Sequence, residues 1–140
     1  MSQQPIIQKI LQTTQTIAVV GMSNKPHRAG YYVPVYLQEH GYRIIPVNPF
    51  LHAPVLGEPP YATLAEVPNP VDLVLIFQRS ENVPPFVDQA IEMGAKAIWM
   101  QQGIAHPEAA EKARAAGMDV VMDACMLVEH KTGGGRKRIG

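Results

Sequence analysis

IAVVGMSNKPHRAG, residues 17–30, runs from four apolar residues through Gly21 into a polar loop that carries Ser23, Asn24, Lys25 and Arg28. A run with no polar face predicts a strand covered on both sides. The glycine after it lets the backbone pass close to a neighbour or a ligand. A helix that begins after such a loop aims its first N–H groups at whatever lies there, so the pattern suits an anion as well as it suits an ordinary strand-to-helix turn. The G-x-G-x-x-G spacing of a dinucleotide loop is absent.

Four further apolar runs repeat the pattern: YRIIPVN (42–48), VDLVLIF (71–77), AKAIWMQ (95–101) and DVVMDA (119–124). Helical punctuation lies between them. PEAAEKARAAG opens with Pro107 and closes at Gly117, with Glu108–Lys112 and Glu111–Arg114 at spacings where opposite charges meet. In VPPFVDQAIEMG, Val87, Ala90 and Ile91 form an apolar stripe, and Pro84 and Pro85 fall in the first turn. GYYVPVYLQEHG (30–41) reads as a helix whose start Pro34 limits. PIIQKILQTT (5–14) reads as an extra helix before the first strand, and the proline-rich stretch 49–70 as a connection with one helical turn near ATLAEV.

This alternation in 140 residues predicts an α/β fold: a single Rossmann-like domain with a five-stranded, mostly parallel sheet and helices on both faces. Such sheets bind ligands beyond the carboxyl ends of their strands. The loops 21–28, 47–50, 77–82, 101–106 and 123–126 are therefore the expected site.

Composition narrows the class. Hydrophobic residues make up 46% of the chain, as in a globular protein. No apolar run is long enough to span a bilayer and the first residues lack a secretory pattern, so a cytoplasmic protein without a membrane partner is expected. One cysteine, Cys125, leaves no intrachain disulfide. The formal net charge is zero, but residues 131–140 hold Lys131, Arg136, Lys137 and Arg138 and no acid. We read residues 1–130 as the domain and 131–140 as a basic, glycine-rich tail, either a solvated end or a contact for an anionic partner.

The loops carry the chemistry. Ser23 and Asn24 can bond phosphate oxygens, while Lys25 and Arg28 can neutralise them. A sheet of the NAD type places Asp or Glu at the end of its second strand for the ribose hydroxyls. Here that strand ends in Asn48 and Pro49, without a carboxylate. After the third strand, Phe77 can flank a base and Arg79 can meet a phosphate, or both can be ordinary core and surface groups. After the fourth, Gln101 and Gln102 precede Gly103 and suit an uncharged polar chain or a plain turn.

VVGMSNKPHRAG, GYRIIPVNP, GAKAIWMQQGI and KARAAGMDVVMDACMLVEH, in that order, resemble the small stand-alone CoA-binding domain family. That family is related to the N-terminal domain of the succinyl-CoA synthetase alpha subunit, and the likeness covers residues from about 17 to 130. The resemblance implies that CoA lies across the strand ends. Gly21, Met22, Ser23, Asn24 and Lys25 would hold its diphosphate, and Val47, Asn48 and Pro49 would border the adenosine. Phe77, Gln78 and Arg79 would line the nucleotide and the start of the pantetheine arm, with Met100 and Gln102 accompanying the arm toward its thiol. CoA carries a 3′-phosphate on its ribose, which accounts for the missing carboxylate; Lys25, Arg28 or Arg79 would bond it. The synthetase's phosphohistidine-bearing ligase domain is not matched, so ligase activity is not carried over.

The expected function is thus binding of CoA or acyl-CoA by a non-catalytic carrier, sensor or regulatory module. Ser23 has no evident base, and the five histidines show no metal-ligand spacing, so neither a catalytic set nor a metal site is expected. Cys125 is a candidate thiol site, either forming a mixed disulfide with CoA or packing as a small hydrophobe. Tyr31, Tyr32 and Tyr36 on one helix leave a homo-oligomer open; a protein partner is not identified. Two readings compete. A small NAD(P)- or nucleotide-dependent oxidoreductase lacks its ribose carboxylate. An interaction module that binds a protein or RNA through the tail lacks a basic face with interleaved aromatics elsewhere, which disfavours nucleic acid.

Overall fold

A computed structural model of the chain describes residues 2–133. Arg136, Lys137 and Arg138 of the basic tail lie outside the described residues. Strands β1 (Thr16–Val20), β2 (Arg43–Val47), β3 (Leu73–Ile76), β4 (Ala97–Met100) and β5 (Asp119–Val121) form one sheet in the order β2-β1-β3-β4-β5. All four pairings are parallel. The order reverses between β1 and β3, which opens a crevice at their carboxyl ends.

Period-two alternation divides the strands between two cores. Ala18, Val20, Ile45, Val47, Val74, Ile76, Ile98, Met100 and Val120 face one layer, under helices α3 (Val83–Met93) and α4 (Pro107–Ala115). Ile17, Val19, Ile44, Leu73, Leu75, Ala97, Trp99 and Val121 face the other, under α1 (Gln4–Thr13), α2 (Ala29–Glu39) and α5 (Met126–Thr132). Short 3-10 turns occur at Leu64–Glu66, where ATLAEV predicts a turn, and at Ser80–Asn82.

Three local expectations are corrected. Pro34 does not set the start of α2, which begins five residues earlier at Ala29. A proline inside a helix removes the bond to the carbonyl four residues back, here Gly30. The N–H of Ser23 donates to that carbonyl at 3.1 Å. The proline thus frees an acceptor that ties the first loop to the helix behind it. On α4, Lys112 does not meet Glu108; it reaches Asp88 of α3 at 2.7 Å, while the Glu111–Arg114 pair is present at 3.9 Å. Lys131 and Thr132, placed in the tail by the sequence reading, belong to α5, a helix too short to show a period of its own.

Candidate functional site

The first loop is shaped by two glycines. Gly21 has φ +84°, and a Cβ there would collide with the carbonyl oxygen of Phe77 and lie 3.3 Å from Gln78 Nε2. A Cβ on Gly30 would meet the Gly21 carbonyl at 3.0 Å. Loop one, the start of α2 and loop three therefore close on one another only because both side chains are missing.

Asn48 locks the second loop to the first. Its Nδ2 donates to the Met22 carbonyl at 2.8 Å and its Oδ1 accepts from Phe50 N–H at 2.9 Å. Both ends of the amide are occupied, so Asn48 builds the site's wall in the place where a dinucleotide sheet keeps its ribose carboxylate.

These loops enclose a cleft of about 630 Å³ lined by Gly21, Met22, Ser23, Asn24, Lys25 and Arg28 from the first loop. Asn48 and Phe50 come from the second and Phe77 from the third. Among the described residues, the N–H groups of Met22, Asn24, Ala29 and Gly30 have no acceptor. Ser23 N–H is taken by Gly30, and Ser23 Oγ accepts from Lys25 N–H at 3.0 Å. Ser23 is thus partly used by the loop itself. Phe50 is 83% exposed and offers a bare aromatic face at the cleft's rim.

A second cleft of about 500 Å³ continues from the first, sharing Ala29 and Phe77 with it. Gln78, Arg79, Gln102 and Cys125 line it, as do Tyr32, Gln101 and Ile104. Its floor is braced by Asp123, whose Oδ1 accepts from Gly103 N–H at 2.7 Å, and by Ser80 Oγ, which accepts from Ala105 N–H at 3.0 Å. Cys125 is half-buried and occupies the residue before α5.

Charge distinguishes these clefts from the rest of the molecule. Of the nine lysines and arginines among the described residues, Lys9, Arg43, Lys96, Lys112 and Arg114 pair with carboxylates. Lys25, Arg28, Arg79 and Lys131 do not. Three of these four line the two clefts, and no Asp or Glu lines either one. A further cavity of about 410 Å³ at the opposite strand ends carries two ion pairs, Lys9–Asp119 and Lys96–Asp72, so its charges are already neutralised.

Not every candidate reaches the clefts. Val47 and Met100 end their strands facing the core under α3 and α4 and are buried there. Pro49 is exposed but lines neither cleft. The sequence reading does not single out Phe50 or Tyr32 as site residues, although aromatic residues in loops at strand carboxyl ends are a usable signal. Behind the site, His130 of α5 is fully buried and shares a 2.9 Å hydrogen bond through Nδ1 with Tyr36 OH of α2. Burial, and then the nearby His40, hold its pKa below the ordinary 6.5. Tyr36 therefore faces inward. Among the described residues, no helix is long and apolar enough to cross a membrane, and no cluster of three His, Cys, Asp or Glu could hold a metal.

Comparison with known proteins agrees with this geometry. The uncharacterized protein YneT of Bacillus subtilis (strain 168) is 40% identical over 124 residues, covering 89% of this chain and 91% of that protein. The solved structure of cell-free ID.343 from Thermus thermophilus superposes with a TM-score of 0.85 at 38% identity, covering 94% of this chain and 98% of the other. The alpha subunit of an ADP-forming acetate–CoA ligase II from Pyrococcus furiosus is 35% identical over 83 residues, 59% of this chain but 18% of that subunit. A protein-family model described as a CoA binding domain matches residues 15–131, a span that contains every lining residue of the two clefts. With loops, clefts and this match in register, the chain belongs to the CoA-binding domain family.

Proposed function

We propose that the chain binds CoA or acyl-CoA across the carboxyl ends of β1, β2, β3 and β4 and acts as a non-catalytic carrier, sensor or regulatory module. One observation carries the reading: three unpaired cations and four unbonded N–H groups converge on a rim with no carboxylate, and this rim continues into a second, more apolar cleft. A phosphate-rich head with a long uncharged arm fits that sequence of environments. Lys25 and Arg28 would meet phosphates, Phe50 would offer its face to the adenine, and the arm would run past Phe77 and Gln78 into the second cleft. Bound CoA would supply a thiol or thioester, near Cys125. No base or nucleophile pair among the lining residues calls for a reaction step by the chain itself.

NAD is less well suited, since Asn48 stands in place of the ribose carboxylate and its amide is already bonded at both ends. Calorimetric titration with CoA, dephospho-CoA and NAD tests the reading. CoA should bind about tenfold more tightly than dephospho-CoA, the order of one charge-assisted contact at a solvent-exposed site. Equal affinity for the two would remove the 3′-phosphate from the reading, and NAD binding more tightly than CoA would overturn it.

A further inference from the structure

We propose that Gln101 determines specificity by donating a hydrogen bond to a carbonyl oxygen on the ligand's uncharged arm. The proposal rests on the CoA reading above and concerns the second cleft alone. Gln101 follows β4 directly, and its own N–H continues the ladder by donating to the Ile76 carbonyl at 3.3 Å. The residue is only 5% exposed. Its Oε1 accepts from Met126 N–H, at the first residue of α5, at 3.2 Å. A first-turn helix N–H has no intrahelical acceptor, so the oxygen of the amide must face it and the nitrogen must face away.

That leaves the NH2 group without an acceptor among the described residues. It is not sealed in the core either: the unpartnered side-chain atoms wholly shut off there are Gln89 Oε1 and His130 Nε2. The amide nitrogen of Gln101 therefore opens into the cleft its residue lines. Buried donors in folded proteins are nearly always satisfied, and one left open beside a cleft marks where a ligand acceptor belongs. The surrounding walls, Phe77, Ile104, Tyr32 and Cys125, are largely apolar. Arg79, the one charged lining residue, is exposed at the margin. A neutral carbonyl suits this interior and a phosphate does not. In an acyl-CoA that carbonyl belongs either to a pantetheine amide or to the thioester.

The test is Gln101→Glu, which keeps an acceptor for Met126 N–H and removes the donor. Wild type and variant are titrated with adenosine 3′,5′-bisphosphate, which lacks the arm, and with CoA and acetyl-CoA. The expected result is bisphosphate affinity unchanged within about twofold and CoA and acetyl-CoA affinity lowered about tenfold, the worth of one net hydrogen bond. A larger loss for acetyl-CoA than for CoA assigns the thioester carbonyl; an equal loss assigns an arm amide. Unchanged affinity for all three ligands, or an equal loss for all three, overturns the proposal. Gln101→Met, which adds no charge, must reproduce the selective loss, and it decides the matter if thermal unfolding shows that Gln101→Glu is not folded. Wild-type protein that binds the bisphosphate as tightly as CoA refutes this inference alone, whereas no binding of any of the three refutes the CoA reading with it.

Discussion

Replacing Gly21 by alanine should separate two costs that are usually confounded. The first is backbone strain: at φ +84° an L-residue is disfavoured by about 1–2 kcal/mol. The second is steric, because the new Cβ would overlap the Phe77 carbonyl. That carbonyl cannot swing aside freely, since Phe77 N–H is held by the Val20 carbonyl at 2.8 Å and the Gly30 backbone presses on the loop from the far side. Forcing atoms into a packed site costs a further 1–3 kcal/mol or so. Gly117, at φ +89°, supplies the control: it shares the strain, a Cβ there meets nothing within 4 Å, and it lies at the other end of the sheet. Urea unfolding of the two variants, with equal slopes, should give a loss of about 1–2 kcal/mol for Gly117→Ala and roughly 2–5 kcal/mol for Gly21→Ala. CoA affinity should fall in Gly21→Ala, where Phe77 and Gln78 are displaced, and hold in Gly117→Ala. Equal losses within about 0.5 kcal/mol would refute the close-approach account of the loop.

Lys25→Ala and Arg28→Ala should each weaken CoA about threefold to tenfold and flatten the salt dependence of binding measured by calorimetry; no change in either variant would remove the loop from the site. Saturating CoA should slow alkylation of Cys125 by iodoacetamide by about tenfold, followed by mass spectrometry; an unchanged rate would mean the arm does not enter the second cleft. Stability should also fall with pH through His130. Its folded pKa lies below 6.5, so the unfolded chain takes up the proton first. Stability is therefore undiminished above about pH 6.5 and drops below it until the folded imidazole also titrates, with a slope of up to about 1.4 kcal/mol per pH unit. Denaturant unfolding between pH 6.5 and 5.5 should show a shallower slope for His130→Gln than for wild type, and parallel slopes would refute the assignment.

The strands were readable from the chain because parallel strands are buried on both faces and print as uninterrupted apolar runs: TIAVV, LVLI and AIWM appear almost residue for residue. The helices with proline openings and glycine closings were equally plain, since capping is local chemistry. Helix α2 was harder, because Pro34 argues against it locally and is tolerated only where the freed Gly30 carbonyl finds Ser23. That contact joins residues from two different elements.

The candidate site divides along the same line. Position in an α/β sheet follows from the order of apolar runs, so the loops at the strand ends, with their lysine and arginines, could be named before any coordinates. Which side chains enter the clefts could not. Met100 and Gln101 are neighbours, yet the pleat turns one into the core and leaves the other at the cleft, and the ladder register that settles this depends on β3. Asn48 became scaffold and Lys25 remained unpaired through partners distant in the chain, because hydrogen bonds and ion pairs across loops depend on distances that only packing sets.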